Sequence, residues 1–243
     1  MSLFAISDLH LSLGQNTDKS MEVFGKRWQG YTQKLDKSWR AVVSDEDTVI
    51  LPGDISWALT LEEAEADLRF IHELPGKKII GKGNHDFWWQ TMRKLTLFCE
   101  EKGFTTLSFL YNNAIETDMH VVCGTRGWFY DPSSDNIPRD TDFEKISARE
   151  AMRLNASLTE GEKLSAETGK PLLTFLHFPA VWTDKVSEGI LSVLLEHGVK
   201  KCFFGHIHSG YDLPTDFSHE GIDFSLISAD FLHFIPKLIE KND

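Results

Sequence analysis

Lys77-Lys78-Ile79-Ile80-Gly81-Lys82-Gly83-Asn84-His85-Asp86 runs a short apolar strand directly into a glycine-spaced polar turn. Residues 77–80 have the length and composition of a buried strand, and the turn sets an amide, an imidazole and a carboxylate at its carboxyl end. The pattern recurs in both directions along the chain. Residues 3–7 precede Asp8-Leu9-His10, residues 48–51 precede Gly53-Asp54, residues 172–176 precede His177, and residues 202–204 precede Gly205-His206-Ile207-His208. Five strands thus deliver Asp, Asn and His from one end. In an open α/β sheet the ligand crevice lies at the carboxyl ends of the strands, so these stretches predict both a sheet and the place of its chemistry.

Helices are expected between the strands. Trp28, Tyr31, Leu35, Trp39 and Val42 recur at three- and four-residue steps, which marks an amphipathic helix. Thr60 and Glu63 have the form of a capping box, opening a helix with Leu61, Ala64, Leu68 and Ile71 on one face and a stop at Pro75-Gly76. The acidic stretch 62–67 reads as a solvated helix face. Further helices are expected over 88–102, 143–166 and 187–197. Short strand-like pieces at 106–110, 114–116 and 120–123, separated by Asn112-Asn113 and Thr117-Asp118, suggest an antiparallel meander. Residues 131–142, rich in Pro, Ser and Asp, read as a loop, and residues 224–227 and 231–235 as a closing pair of strands. No linker divides the chain, so residues 1–243 read as one domain of mixed sheets covered by helices.

Composition narrows the function classes. Lys and Arg number 25 against 37 Asp and Glu, a formal net charge of −12. That opposes a broad electrostatic grip on DNA or RNA, although bound metal ions would make a local positive site outside this count. Cys99, Cys123 and Cys202 lie far apart and form no C-x-x-C pair, so they read as reduced, buried thiols of a cytoplasmic protein. No apolar run reaches the ~18 residues of a membrane span. No nucleophile elbow, phosphate-binding glycine loop or dinucleotide fingerprint is present.

The donor set has a chemical logic. Asp8, His10, Asp54, Asn84, His177, His206 and His208 offer oxygen and nitrogen without thiolate, which suits Mn, Fe, Zn, Co or Ni better than a cysteine zinc cage. Seven donors are too many for one ion with open positions and divide naturally between two, with Asp54 the candidate for a shared carboxylate. The glycines before Asp54, Asn84 and His206 allow close backbone approach. Each motif alone is short and common; the ordered set of five at strand ends is not. His72, His120, His197, His219 and His233 read as structural residues.

In this order the blocks resemble those of the calcineurin-like metallophosphoesterases: D-x-H, G-D, G-N-H-[DE], H and G-H-x-H. The resemblance spans residues 8–208 and implies a four-layer αββα sandwich, two mixed β-sheets flanked by helices. It further implies that Asp8, His10 and His208 hold a first divalent transition-metal ion, that Asn84, His177 and His206 hold a second, and that Asp54 bridges them. His85 is implied to stay off the metals and to support the leaving-group oxygen of a phosphate ester, attacked directly by water activated between the ions. The Gly53-Asp54-Ile55-Ser56-Trp57-Ala58 block lacks the arginine of the protein Ser/Thr phosphatase branch. With Cys123-Gly124-Thr125-Arg126-Gly127-Trp128, it looks like a bacterial subgroup without an assigned substrate.

The expected activity is therefore hydrolysis of a small phosphorylated substrate, monoester or diester. Arg126 is a candidate for a bidentate phosphate contact, against the plainer reading of an ordinary salt bridge. Trp57 and Trp128 could line a ring-binding site, though packing explains them as readily. The competing readings are a catalytically silent metal-binding scaffold, which would be expected to lose His85 or several donors, and a metal-dependent nuclease, which the negative charge disfavours. The sequence carries no signal for the oligomeric state.

Overall fold

The computed structural model describes residues 1–14, 19–128 and 142–241. The strands are β1 (Ser2–Ala5), β2 (Thr48–Leu51), β3 (Lys77–Gly81), β4 (Leu107–Leu110), β5 (Ala114–Glu116), β6 (Val121–Thr125), β7 (Leu172–Leu176), β8 (Val181–Trp182), β9 (Lys185–Val186), β10 (Lys201–Phe204), β11 (Asp216–His219), β12 (Ile222–Leu226) and β13 (Lys237–Lys241). The α-helices are α1 (Tyr31–Val42), α2 (Glu65–Glu73), α3 (Met92–Lys102), α4 (Phe143–Thr168) and α5 (Glu188–Glu196).

Two mixed sheets carry the fold. The first runs β13-β1-β2-β3-β4, all parallel except the antiparallel edge β13. The second runs β11-β12-β10-β7-β6-β5, with a parallel centre and antiparallel β11 and β5 at its edges. Strand alternation sorts the core into three layers. Leu3, Ala5, Ile50, Ile79 and Leu110 of the first sheet meet Val122, Leu173, Phe175 and Phe203 of the second. Phe4, Val49, Leu51 and Ile80 point the other way, against Leu35, Trp39, Leu68, Ile71 and Leu95 of α1–α3. Val121, Cys123, Cys202 and Phe204 likewise meet Leu154 and Leu158 of α4 and Ile190, Leu191 and Leu194 of α5. The expected four-layer sandwich of two mixed sheets flanked by helices is the observed architecture.

Several expectations are corrected. The meander does not form: β4 pairs in parallel with β3, and the chain crosses to the other sheet past Asn112, at φ 64°. Of these three pieces, only β5 and β6 pair antiparallel. Residues 231–235 are a turn, with His233 and Phe234 at positive φ and Phe234 buried against Trp28. The closing strand is instead β13, and β11 pairs with β12. Thr60 and Glu63 do exchange capping-box bonds, but α2 proper begins at Glu65. Asp67 is no solvated residue: it is fully buried, accepting from the Ser56 hydroxyl and, at 2.7 Å, from the Leu13 amide. The expected loop from residue 131 lies outside the described residues, except that Asp142 caps α4 by accepting from the Lys145 amide. Cys99, Cys123 and Cys202 are free and buried.

Candidate metal centre

The turns that leave β1, β2, β3, β7 and β10 converge at one end of the sandwich. Their backbones are laced together: Asp8 N–H donates to Gly53 O (3.0 Å), His10 N–H to Asp54 O (2.9 Å) and Gly205 N–H to His177 O (3.1 Å). Asp8, His10, Asp54 and His206 adopt φ of 61°, 45°, 52° and 69°. Left-handed backbone at non-glycine residues costs about 1–3 kcal/mol each and persists only where the surroundings enforce it. The enforcement includes glycines: a Cβ on Gly83 would collide with the Asp54 carboxylate, and one on Gly205 with that of Asp8.

Two sets of donor atoms result. His10 Nε2 and His208 Nε2 lie 3.2 Å apart, with Asp8 Oδ1 3.4 Å from His208 Nε2 and 4.0 Å from His10 Nε2. Asn84 Oδ1 lies 2.7 Å from His177 Nε2 and 3.0 Å from His206 Nδ1. Asp54 Oδ2 stands between the sets, 3.7 Å from His10 Nε2 and 3.5 Å from His177 Nε2. Donors about 2.0–2.2 Å from a shared ion stand roughly 3–4 Å from one another, and every distance here but the 2.7 Å of Asn84 to His177 falls in that range. All seven sequence-predicted candidates are therefore brought together at one end of the fold, Asp8, His10 and His208 on one side and Asn84, His177 and His206 on the other, with Asp54 between them.

The electrostatics favour cations here. Burial and the neighbouring charges of Asp8 and Asp86 push the Asp54 carboxyl up, a penalty a shared cation would relieve. Burial lowers His10 to about 3 and His206 to about 4, and puts His177 well below the usual range, so each keeps a lone pair at neutral pH. His208 is different. Burial lowers it, but bonds to Asp230 and Asp8 outweigh that and raise it to about 10. Burial likewise raises Asp8, but the His208 bond and the charges of His177, His208 and His10 hold it below the usual carboxylate range. Metal binding at the first set would therefore displace a proton from His208.

His85 holds a different position. Its amide donates to Asp54 Oδ1 at 2.8 Å, while its half-buried ring lies 4.4 Å from that of Trp57 and 5.6 Å from that of His10. It stands beside the donors without joining either set. Burial lowers its pKa, against the pull of Asp8. Trp57 stacks on His10 at 4.9 Å.

Arg126 links its backbone to the centre, since its carbonyl accepts from the His177 amide (3.1 Å) and the Phe178 amide (2.8 Å). Its guanidinium lies 3.4 Å from the fully buried Glu150 carboxylate, which Arg153 also approaches at 2.6 Å, and 5.3 Å from the centre of the Trp128 ring. The salt-bridge reading is thus realised, and Arg126 Nε has no hydrogen-bond partner among the described residues.

Other residues of the site carried no assigned role in the sequence. Asp86 is a buried clamp, accepting from the amides of Gly83 (2.7 Å), Asp54 (2.9 Å), Ile55 (2.9 Å) and Ser56 (3.3 Å) and from Trp88 Nε1 (2.9 Å). It thereby pins the Asp54 turn to the Asn84 turn. Its place in Asn84-His85-Asp86 was the available signal. Ser228, donating to Asp8 Oδ2 at 3.1 Å, and Asp230, 3.0 Å from His208 Nδ1, gave none.

Two clusters of candidate metal-binding side chains, with Asp54 between them, thus lie on turns at one end of a four-layer α/β sandwich. The chain belongs to the calcineurin-like phosphoesterase family, whose model matches residues 1–210. Family and donor groups together support a metal-dependent phosphoesterase, hence a hydrolase. No curated protein matches the chain. A protein of unknown function from Aquifex aeolicus is similar in structure, with 16% identity, a TM-score of 0.51, and coverage of 98% of this chain and 95% of that one. A second solved structure shares 13% identity with a TM-score of 0.52, covering 92% of this chain and 89% of its own. These likenesses concern the fold alone. No described helix is long and apolar enough to cross a membrane.

Proposed function

We propose that this protein is a dinuclear metal-dependent phosphoesterase that hydrolyses mono- or diesters of a small phosphorylated compound. The observation that carries the reading is the position of Asp54 Oδ2, within 3.7 Å of one donor set and 3.5 Å of the other. Asp8, His10 and His208 would hold one divalent ion, Asn84, His177 and His206 the other, and Asp54 both. When bound, Mn, Fe or Zn ions would neutralise charge on the phosphoryl oxygens and make water acidic enough to supply hydroxide near neutral pH. His85, held beside the donors by its amide bond to Asp54, would give a proton or hydrogen bond to the leaving oxygen. Asp86 would keep the Asp54 and Asn84 turns in register. Arg126 stands against Glu150 beside the His177 strand end, from which its guanidinium could reach a phosphate oxygen. The buried thiols suit a reducing compartment such as the cytoplasm, and the charge of −12 suits a small substrate better than a nucleic acid.

The test is a hydrolysis screen of metal-stripped and Mn-, Fe- or Zn-loaded protein against aryl and alkyl monoesters, diesters and nucleotides. Turnover that requires metal and falls with Asp54→Ala supports the reading. Undiminished turnover by metal-free protein contradicts it.

A further inference from the structure

We propose that Asp230 is the positioning residue for His208, fixing its ring so that Nε2 faces Asp8 and His10, and that Tyr211 and Arg27 fix Asp230 in turn. The inference rests on the dinuclear reading above. Asp230 is fully buried in the turn after β12, next to the strand β10 that delivers His208. Its Oδ1 lies 3.0 Å from His208 Nδ1, and its Oδ2 accepts from the Tyr211 hydroxyl at 2.7 Å. Arg27 donates to the Asp230 backbone carbonyl at 3.2 Å and lays its guanidinium 3.9 Å from the centre of the Tyr211 ring.

A neutral imidazole has one N–H to place on either nitrogen. A carboxylate that only accepts holds that proton on Nδ1, which leaves Nε2 bare and its lone pair more basic. A buried carboxylate is costly unless its oxygens are bonded. Here each oxygen is met, one by the metal-ligand candidate and one by a tyrosine three residues beyond it. Neither His10, in the same set, nor His177, in the other, has such an arrangement: the Nδ1 of each has no hydrogen-bond partner among the described residues. The two sites should therefore respond differently to loss of Asp230.

The experiment is a calorimetric titration of metal-stripped protein with Mn2+, for the wild type, Asp230→Asn, His208→Ala and the double variant. Asp230→Asn should weaken one site by about 10–100-fold and leave the other within about twofold. On the His208→Ala background the same substitution should change affinity by less than about twofold, because the partner through which it acts is gone. Tyr211→Phe keeps the ring beneath Arg27 and should weaken the same site by a smaller factor; it replaces Asp230→Asn in the cycle if that variant fails to fold. Equal loss at both sites, no loss at either, or a full effect without His208 overturns the assignment. A wild type that takes up one ion contradicts the dinuclear reading, yet the cycle with His208 still decides on Asp230. A wild type that binds none overturns both.

Discussion

His85 follows the donor Asn84 directly, yet its ring faces Trp57 and His10 rather than joining either donor set. That separation of neighbours gives a prediction at the residue scale. His85→Ala should keep its fold and its metal content while losing about 10²-fold or more in rate on esters with poor leaving groups. The loss should shrink on an activated aryl ester, which needs little help in leaving. Loss of an ion would make His85 a ligand, and an equal rate loss on both esters would leave it only electrostatic support of the phosphoryl group. The donors were legible in the sequence because each lies within a few residues of its own strand, so local pattern alone announces it. Asp86 was visible but mute, since its five donors come from several turns. Asp230 was invisible: its tie to His208 spans 22 residues and exists only once β10 and β12 lie side by side.

At the scale of elements, α4 packs on the outer face of the second sheet through Gly161, where a Cβ would collide with Cys123 Sγ. In an exposed helix Gly→Ala would gain about 1 kcal/mol. Here overpacking should cost more, so Gly161→Ala should destabilise by roughly 1–2 kcal/mol net. Urea denaturation checks it, and adding Cys123→Ala should recover part of the loss. A stabilised Gly161→Ala single variant would contradict the close approach. The strands β2 and β7 were readable to the residue because they are short buried runs bounded by turn residues, and β5 because turn residues bound it on both sides. Pairing was less readable than existence. Nothing local in residues 106–123 tells that β4 joins one sheet and β5 and β6 the other. Residues 231–235 imitate a strand because an apolar run serves equally to bury a turn against Trp28 and Tyr31. The polar edge strands β11 and β13 escaped because they bury little and so carry weak patterns.

For the whole molecule, three thiols lie in or beneath its packed layers. Burial raises Cys99 to about 11, Cys123 to about 12 and Cys202 further. An unfolded chain releases these protons near pH 9, whereas the folded chain keeps them, so the stability they confer is full below pH 9 and lost as pH rises beyond it. Lys78, lowered by burial to about 8, and Lys82, also lowered by burial, act in the opposite sense below pH 10.5, but as two groups against three, and Tyr31 and Tyr211, raised by burial to about 12, side with the thiols above pH 10. Unfolding midpoints should therefore fall above pH 9, by about 1.4 kcal/mol per pH unit for each net proton released, and Cys202→Ala should flatten the slope. A midpoint that rises between pH 9 and 10.5 would contradict this balance. The account as a whole turns on one carboxylate shared by two ions, and elemental analysis of Mn-loaded, desalted protein tests it most directly. It predicts two ions per chain in the wild type, one retained in His10→Ala, and fewer than one in Asp54→Ala, whose loss removes the link between the sets. An Asp54→Ala variant that keeps two ions would contradict it.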